Sequence, residues 1–351
     1  MNPRAVKEPG MRAARQRASK KAAMGYYHCI SRIVNREFVL GAEEKEHLVK
    51  LMRGYEGFCG VRVVTYCVMS NHFHLLVEVP QRPPQAELPR DEDLVSLLRK
   101  AQDSYGSATL KQDLERLRSQ GEHVAAEQLK ERFFCRMWDV SWFMRLLKQR
   151  FTQWYNKRRG RTGTLWEDRF KSVLVEGAGP TLAAMSVYID LNPVRAGMVS
   201  DPQEYRWCGL AEAMAGRKQA REGLSVVVNA VRGQEVVPQR VVAEYRMQVY
   251  GRAEARGSAQ ESGPVRAGVS EERVKEVLEK KGRLDPWESV RCRVRYFSDG
   301  VVIGSRGFVD EYFRENRERF GLKRKDGARR MRYVSLPGLF VLRDLQKTPI
   351  G

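Results

Sequence analysis

Two histidines lie either side of one phenylalanine in an apolar run near residue 70. The run CVMSNHFHLLVEVP, residues 67–80, contains His72 and His74, two of the five histidines of the chain. Residues two apart in a β-strand point to the same face, so both imidazoles would project together while Phe73 points into the core. Neutral imidazole is a common ligand of divalent metals. The pattern fits a catalytic metal platform, and it also fits a polar stripe that faces solvent.

A tyrosine and an asparagine one helical turn apart form a second candidate group. Tyr188 and Asn192, in SVYIDLNPVRAGMV, stand at i and i+4 of a predicted helix and so share a face. A phenol with a pKa of about 10 needs a metal-polarised phosphate to attack well. Its attack would store the phosphodiester energy in a phosphotyrosine. The Asn192 amide oxygen is a candidate third ligand, while core packing of Tyr188 and helix capping by Asn192 are the alternatives.

Tyr155, in FTQWYNKRRGR, competes with Tyr188 for the role of nucleophile. Its i+4 position holds Arg159 instead of an amide, and a long basic helix suits contact with a phosphate backbone. We therefore expect Tyr188 to be the nucleophile. The aromatic and basic residues from Trp142 to Arg159 suit either the stacking of unpaired bases or the packing of an amphipathic helix on the core.

The charge of the chain indicates a polyanionic partner. Lysine and arginine outnumber aspartate and glutamate by 63 to 43, which gives a formal net charge of +20. Nucleic acid is the commonest partner of such a basic protein. Arg32, Arg169 and Lys171 lie at or beside predicted strands and are candidate phosphate contacts, although solvated surface positions explain each of them equally well.

Several classes of protein are disfavoured by the composition. No apolar run approaches the length of a membrane span, and the basic N-terminal residues lack the apolar region of a signal peptide. The six cysteines are scattered without a C-x-x-C pair, so we expect reduced thiols and neither a disulfide framework nor a cysteine-based zinc site.

The predicted elements follow the order strand, helix, strand–strand, helices, strand, helix. The strand pair is a hairpin turned at Ser70 and Asn71, and Pro193 ends or kinks the last helix. This order predicts an α+β fold, an antiparallel sheet with helices on one face. We expect a basic flexible arm (1–23), a main domain (24–215), a helical segment and linker (216–268) and a C-terminal basic helical module that could aid DNA binding (269–351).

These motifs resemble those of a known family. VMSNHFHLLVEVP resembles the His-hydrophobic-His signature of the HUH endonucleases, and GTLWEDRFKSVLVE, YIDLNPVRAGMV and DPQEYRWCG follow in the order found in single-tyrosine transposases. The array is most similar to the REP-associated tyrosine transposases of bacteria and spans residues 24–215. The resemblance implies a ferredoxin-like or RRM-like domain of the HUH endonuclease fold, with the histidines on a central strand and the tyrosine on a facing helix.

The resemblance also implies a reaction. His72 and His74 would bind Mg²⁺ or Mn²⁺ with Asn192 as third ligand, and Tyr188 would cut single-stranded DNA at hairpins of palindromic repeats. A 5′-phosphotyrosine and a free 3′-OH would result, and rejoining would complete a transposition step. We expect a monomer or homodimer in the cytoplasm, associated with the nucleoid and not with a membrane. The alternatives are a plasmid-type HUH replication or mobilisation nickase and a hairpin-binding protein without catalysis.

Overall fold

The computed structural model describes residues 15–19, 21–101, 103–251, 300–331 and 338–343. Their strands are β1 (Met24–Arg32), β2 (Arg62–Val68), β3 (His72–Pro80), β4 (Lys171–Val175), β5 (Val302–Gly304), β6 (Arg329–Arg330) and β7 (Phe340–Leu342). Their helices are α1 (Ala42–Cys59), α2 (Asp91–Lys100), α3 (Ser104–Ser119), α4 (His123–Phe134), α5 (Val140–Arg159), α6 (Gly179–Asp190), α7 (Asn192–Arg195), α8 (Gly209–Met214), α9 (Lys218–Arg232), α10 (Pro238–Gly251) and α11 (Arg306–Glu315). Within these ranges, no helix is long and apolar enough to cross a membrane.

The centre of the sheet is the hairpin that carries the histidine pair. Strand β3 pairs antiparallel with β2 on one side and with β1 on the other, which confirms the predicted hairpin. The register places His74 between Cys67 of β2 and Ile30 of β1, and His72 opposite Arg32. Cross-strand partners share a face, so this pairing fixes which side chains surround the histidines.

The α+β class is confirmed, but the sheet differs from the prediction in two respects. The seven strands run in the order β2-β3-β1-β4-β5-β7-β6, and β5 pairs parallel to β4, so the sheet is mixed. Helices cover both faces and not one: α1 to α5 and α11 enclose one hydrophobic core, while α6 and α8 to α10 enclose a second.

The second helical layer has a physical cause in the composition of α6. Nearly every residue of this helix is buried, including Leu182, Met185 and Ile189. A helix that is apolar on all sides needs cover on all sides. The sheet covers one side of α6 and helix α9 packs against another, so residues beyond 215 complete the core around it.

The C-terminal residues extend the sheet in addition to supplying a helix. Strand β5 pairs with β4 and β7, and the Glu176 carboxylate after β4 accepts hydrogen bonds from Ser305 N at 2.7 Å and Ser305 Oγ at 2.7 Å. The expected helical module is therefore joined to the main sheet through strands in its described part. The predicted linker after residue 251 and the helix predicted from Ser270 lie outside the described residues.

Part of the predicted flexible arm packs against the fold. Gln16 is buried and accepts a hydrogen bond from Tyr312 Oη at 2.6 Å, and Ala18 N donates to Tyr27 Oη at 2.9 Å. The guanidinium of Arg15 lies 3.1 Å from the centre of the Phe170 ring. Residues 15–19 are therefore an ordered edge of the domain, while residues 1–14 lie outside the description.

The close contact of α9 with β2 predicts a sensitive glycine. A Cβ at Gly223 would lie 2.5 Å from Val64 O and 2.6 Å from Val63 O, both of which are backbone atoms. We expect Gly223→Ala to lower the free energy of unfolding by about 1–3 kcal/mol, the usual cost of overpacking. Chemical denaturation measures it. Gly307→Ala in α11 is the control because no atom lies within 4 Å of its Cβ position; equal stability of the two variants would contradict the close packing.

Candidate active site

Three histidines and one tyrosine meet on the face of the sheet that α6 covers. The His74 ring centre lies 5.2 Å from that of His28, 5.1 Å from that of His72 and 6.0 Å from that of Tyr188. The Tyr188 ring also meets the His28 ring edge-on at 5.8 Å. The three histidine side chains come from two adjacent strands and the phenol comes from the helix that packs on them.

The strand geometry predicted for the histidine pair is present. His72 and His74 lie on the α6 face, while Phe73 is fully buried in the opposite core and packs edge-on against Trp166 at 5.5 Å. Tyr188 is fully buried within the core on the histidine side. The structure therefore brings together the strand and the helical residue that the sequence singled out separately.

Tyr155, the rival nucleophile, lies on the other side of the sheet. It is 7% exposed, belongs to the core beneath α5 and stacks on Phe151 with ring centres 6.2 Å apart. The Trp154 ring of the same helix stacks on His47 at 4.0 Å. The aromatic residues of α5 thus pack an amphipathic helix on the core, as one of the two interpretations predicted.

The two candidate metal ligands are held in the neutral form. Burial, assisted by the nearby Arg32 charge, lowers the pKa of His72 to about 4. Burial lowers the pKa of His74 well below its ordinary value, and the neighbouring histidines and Arg195 and Arg32 act in the same direction. Neutral imidazole is the form that offers a lone pair to a cation.

The open nitrogens of these histidines fit a divalent metal. His74 Nε2 is buried and has no hydrogen-bond partner in the described part of the chain. His72 Nδ1 lies 2.7 Å from Asn71 Oδ1, an arrangement in which Nδ1 donates and Nε2 keeps its lone pair. Among the described residues, no group of three or more histidine, cysteine, aspartate or glutamate side chains is arranged to hold one metal ion. A further ligand from this part of the chain would therefore be a group such as an amide, and water or the substrate would supply the others.

Asn192 makes the hydrogen bonds of a helix cap. Its Nδ2 donates to Tyr188 O at 3.2 Å and to Ile189 O at 3.0 Å, two of the last carbonyls of α6. Carbonyls at this end of α6 need partners from outside the helix, because α6 stops at Asp190 and Pro193 prevents a regular continuation. Capping thus accounts for the buried amide, and a ligand role for Asn192 remains a prediction.

Tyr188 is enclosed as well as close to the histidines. Its side chain is 0% exposed, and the Arg195 guanidinium lies 4.2 Å from the ring centre while Arg195 Nη2 donates to Tyr188 O at 2.6 Å. Burial raises the pKa of Tyr188, although the charges of Arg195 and Arg32 oppose this shift. The phenol is therefore neutral at physiological pH and needs activation before it can act as a nucleophile.

The three predicted phosphate contacts occupy different positions relative to this cluster. Arg32 is half-buried and pairs in register with His72, at the more open side of the site. Lys171 is exposed and shares the histidine face, because both Lys171 and His74 pair with Ile30. Arg169 precedes β4 and is exposed, and its charge acts on Arg15 at the edge of the domain.

Sequence reasoning did not single out His28 and Arg195, although both carried a signal. His28 stands in the first predicted strand, YYHCISR, and the chain has only five histidines, three of which lie in this cluster. Arg195 follows Tyr188 by seven residues, which is two helical turns and so the same side of a helix. The strand register that brings His28 to His74 depends on tertiary pairing and is not readable from either segment alone.

A buried carboxyl group ties the tyrosine helix to its neighbours. Asp190 is fully buried and accepts hydrogen bonds from Tyr245 Oη at 2.5 Å, Thr65 Oγ1 at 2.9 Å and Leu210 N at 3.3 Å. Burial raises the pKa of Asp190 to about 7, against the effect of these donors. The group therefore links β2, α6, α8 and α10 behind the candidate site.

Asp190 predicts a pH dependence of stability. Because its pKa is raised in the fold, its favourable contribution is complete below the unfolded value of about 4 and is lost as the pH rises through 7. Relative to Asp190→Asn, the wild-type free energy of unfolding should fall by on the order of 1 kcal/mol per pH unit between pH 4 and 7. Urea unfolding of both proteins across this range measures the difference. Parallel pH profiles would show that Asp190 is ionised throughout.

Comparisons with known proteins match part of the chain to a known family. Among curated proteins, none matches the chain. The solved structures that match include one titled "Structure of the REP associates tyrosine transposase bound to a REP hairpin", with 14% sequence identity, a TM-score of 0.35 and coverage of 57% of this chain and 86% of that one. Residues 21–88, which hold β1, α1 and the hairpin with its histidine pair, match the family described as "Transposase IS200 like". The family match over these residues agrees with the resemblance seen in the sequence.

Proposed function

We propose that this protein is a metal-dependent single-tyrosine transposase that nicks and rejoins single-stranded DNA at hairpins. The observation that carries the proposal is the contact of the Tyr188 ring with the His74 ring, 6.0 Å between centres, in a chain that matches IS200-like transposases. A phenol beside two neutral imidazoles combines a nucleophile with a site for the cation that would activate its target.

In the proposed reaction each residue has one role. His72 and His74 would hold Mg²⁺ or Mn²⁺, which when bound would polarise the scissile phosphate and offset its charge. The Tyr188 hydroxyl attacks phosphorus, the bond to the 3′ oxygen breaks, and the strand ends carry a 5′-phosphotyrosine and a 3′-OH. Attack by a 3′-OH on the phosphotyrosine reverses the step and needs no ATP. Asn192 is proposed as a third ligand once it turns its amide oxygen to the cation.

Substrate access requires a movement of the enclosing residues. Tyr188 is 0% exposed, so a DNA phosphate reaches its hydroxyl only when its neighbours shift. Arg195 lies over the phenol ring and is itself only half-buried. It is therefore positioned to exchange its contact with the ring for a phosphate as the site opens.

One chain supplies every residue of the proposed site. His28, His72, His74 and Tyr188 contact each other within a single copy, which is consistent with a catalytic monomer. The substrate is chromosomal DNA, so we place the reaction in the cytoplasm at the nucleoid. The net charge of +20 favours such a polyanionic substrate.

Binding of hairpin DNA should depend on salt. Each phosphate neutralised on a single strand contributes a slope of about −0.7 to the plot of log affinity against log salt concentration. We expect Arg32→Gln and Lys171→Gln each to make the slope less steep by about 0.7, as measured by fluorescence anisotropy at several salt concentrations. Lys218→Gln, at the exposed start of α9, is the control. Slopes equal to the wild type in the first two variants would remove these residues from the interface.

The enclosure of Tyr188 favours a second candidate, a protein that binds hairpin DNA without cutting it. A phenol that never leaves its buried position would serve only to pack α6 on β1 and β3. Both candidates predict salt-dependent DNA binding. Only the transposase predicts a covalent product.

A labelled hairpin oligonucleotide with a single-stranded flank tests the proposal. Incubation with the protein and Mn²⁺, followed by denaturing electrophoresis, should give a labelled band at the mass of the protein plus the cleaved DNA end. The band should be absent with EDTA. Tight binding with no covalent band across a panel of hairpins taken from repeats beside the gene would instead identify the binding protein.

A further inference from the structure

His28 directly contacts His74, one of the two candidate metal ligands. Its ring is nearly parallel to the His74 ring, with an interplanar angle of 15° and ring centres 5.2 Å apart, and His28 Nε2 lies 3.0 Å from His74 Nδ1. Both side chains are buried, with His28 at 0% and His74 at 1% exposure. When both rings are neutral, one of these two nitrogens carries a hydrogen and donates it to the other.

The direction of this hydrogen bond decides whether His74 can bind a cation. If His74 Nδ1–H donates to His28 Nε2, the proton of His28 resides on its Nδ1, and the buried His74 Nε2 keeps a lone pair that a metal can use. If His28 Nε2–H donates to His74 Nδ1, the proton of His74 resides on Nε2, which then has no lone pair for a metal.

A cation at His74 Nε2 would require the first arrangement, because only that arrangement leaves a lone pair on this nitrogen. Metal-binding histidines generally donate their second ring N–H to an outer partner, which fixes the tautomer and the ring orientation. Carboxylates and backbone carbonyls usually fill this role. Here the partner of His74 Nδ1 is another imidazole, which β1 holds nearly parallel to the His74 ring.

We propose that His28 is a positioning residue that holds His74 as the Nδ1–H tautomer, so that His74 Nε2 is directed at a divalent cation. This inference rests on the proposed function, because it assigns His74 as a ligand. His28 itself would not touch the cation or the DNA. Its effect would pass through the hydrogen bond between the two rings.

Two substitutions of His28 separate the hydrogen bond from the packing. His28→Gln keeps an acceptor at about the reach of Nε2, whereas His28→Leu fills the space without an acceptor. Thermal melting shows whether each variant is folded. His123→Leu, at the exposed start of α4, is the control for a histidine lost elsewhere.

The tautomer can be read directly by nitrogen NMR. In protein labelled with ¹⁵N-histidine, ring nitrogens with and without hydrogen differ in chemical shift, and the five histidines give a simple spectrum. The His74 signals are assigned by their loss in His74→Gln. We expect the Nδ1–H tautomer of His74 in the wild type and in His28→Gln, and its replacement by the Nε2–H tautomer or a mixture in His28→Leu.

Metal affinity supplies a second readout without DNA. Loss of an outer partner typically lowers metal affinity by about 10–100-fold. Titration with Mn²⁺ followed by electron paramagnetic resonance should show this loss in His28→Leu and recovery toward the wild type in His28→Gln. The Nε2–H tautomer of His74 in the wild type, or wild-type Mn²⁺ affinity in folded His28→Leu, would overturn the proposal. If His28→Leu does not fold, the tautomer of His74 in the wild type and in His28→Gln still tests the proposal.

Failure of this inference differs from failure of the proposed function. If the protein forms no covalent DNA product but shows the predicted tautomer and metal affinities, the role of His28 stands and the transposase function is wrong. If the protein forms the covalent product but His74 is the Nε2–H tautomer, the transposase function stands and the role of His28 is wrong.

Discussion

The Tyr188→Phe variant is expected to bind hairpin DNA as the wild type does and to form no covalent adduct. Phenylalanine preserves the ring that packs against His28 and His74, and it removes only the hydroxyl that attacks phosphorus. Loss of a covalent nucleophile can lower a rate by on the order of 10⁶-fold, so the adduct should fall to background. Denaturing electrophoresis measures the adduct, and fluorescence anisotropy measures binding.

Tyr155→Phe is the matched control for this variant. Tyr155 is also a buried tyrosine on a helix packed against the sheet, but it lies in the core of the opposite face. Its variant should form adduct at the wild-type rate. Adduct of undiminished yield from Tyr188→Phe, or its loss from a stable Tyr155→Phe, would transfer the role of nucleophile away from Tyr188.

His72→Ala and His74→Ala should each abolish metal-dependent cleavage. Each change removes one of the two neutral imidazoles that are proposed to bind the cation. The loss of Mn²⁺ affinity should exceed the roughly 10–100-fold that loss of an outer partner costs. Cleavage rates as a function of Mn²⁺ concentration test this, because a weakened site would be partly rescued by excess metal.

The control for the histidine variants is His123→Ala, which removes an exposed imidazole at the start of α4. It should leave cleavage and its metal dependence unchanged. The assignment of the metal fails if cleavage by the wild type proceeds equally in EDTA. It also fails if the His72 and His74 variants keep the wild-type response to Mn²⁺.

The local geometry of the site was predictable from the sequence because it depends on short-range periodicity. The spacing of two residues placed His72 and His74 on one face of β3, and an apolar strand pair with a turn at Ser70 and Asn71 predicted the hairpin. Pro193 likewise predicted the end of the last helix, and α6 stops at Asp190. The pattern of each segment was sufficient for these features.

Features that depend on contacts between distant segments were not predictable in the same way. The position of His28 beside His74 follows from the pairing register of β1 with β3, which neither strand specifies alone. The second helical layer arises because α6 is apolar on every side, and residues beyond 215 are needed to cover it. The predicted main domain ended at residue 215, before those residues.

Asn192 shows the limit of a spacing argument. The i, i+4 relation to Tyr188 is present, but Nδ2 donates to the carbonyls of Tyr188 and Ile189 and closes the end of α6. Spacing predicts which residues share a face of a helix, but it does not predict which side-chain atoms already form hydrogen bonds. The same sequence, with Pro193 after Asn192, also satisfied the capping interpretation.

The most direct measurement is the mass-spectrometric identification of the residue that carries DNA after reaction. The protein is incubated with a hairpin oligonucleotide and Mn²⁺, then digested with trypsin and nuclease, and the modified peptide is sequenced. We predict a single modified peptide with a nucleotide 5′-phosphate on Tyr188. A nucleotide attached to Tyr155 or to any other residue, or cleavage without a covalent product, would contradict the proposal that Tyr188 cuts DNA beside a metal held by His72 and His74.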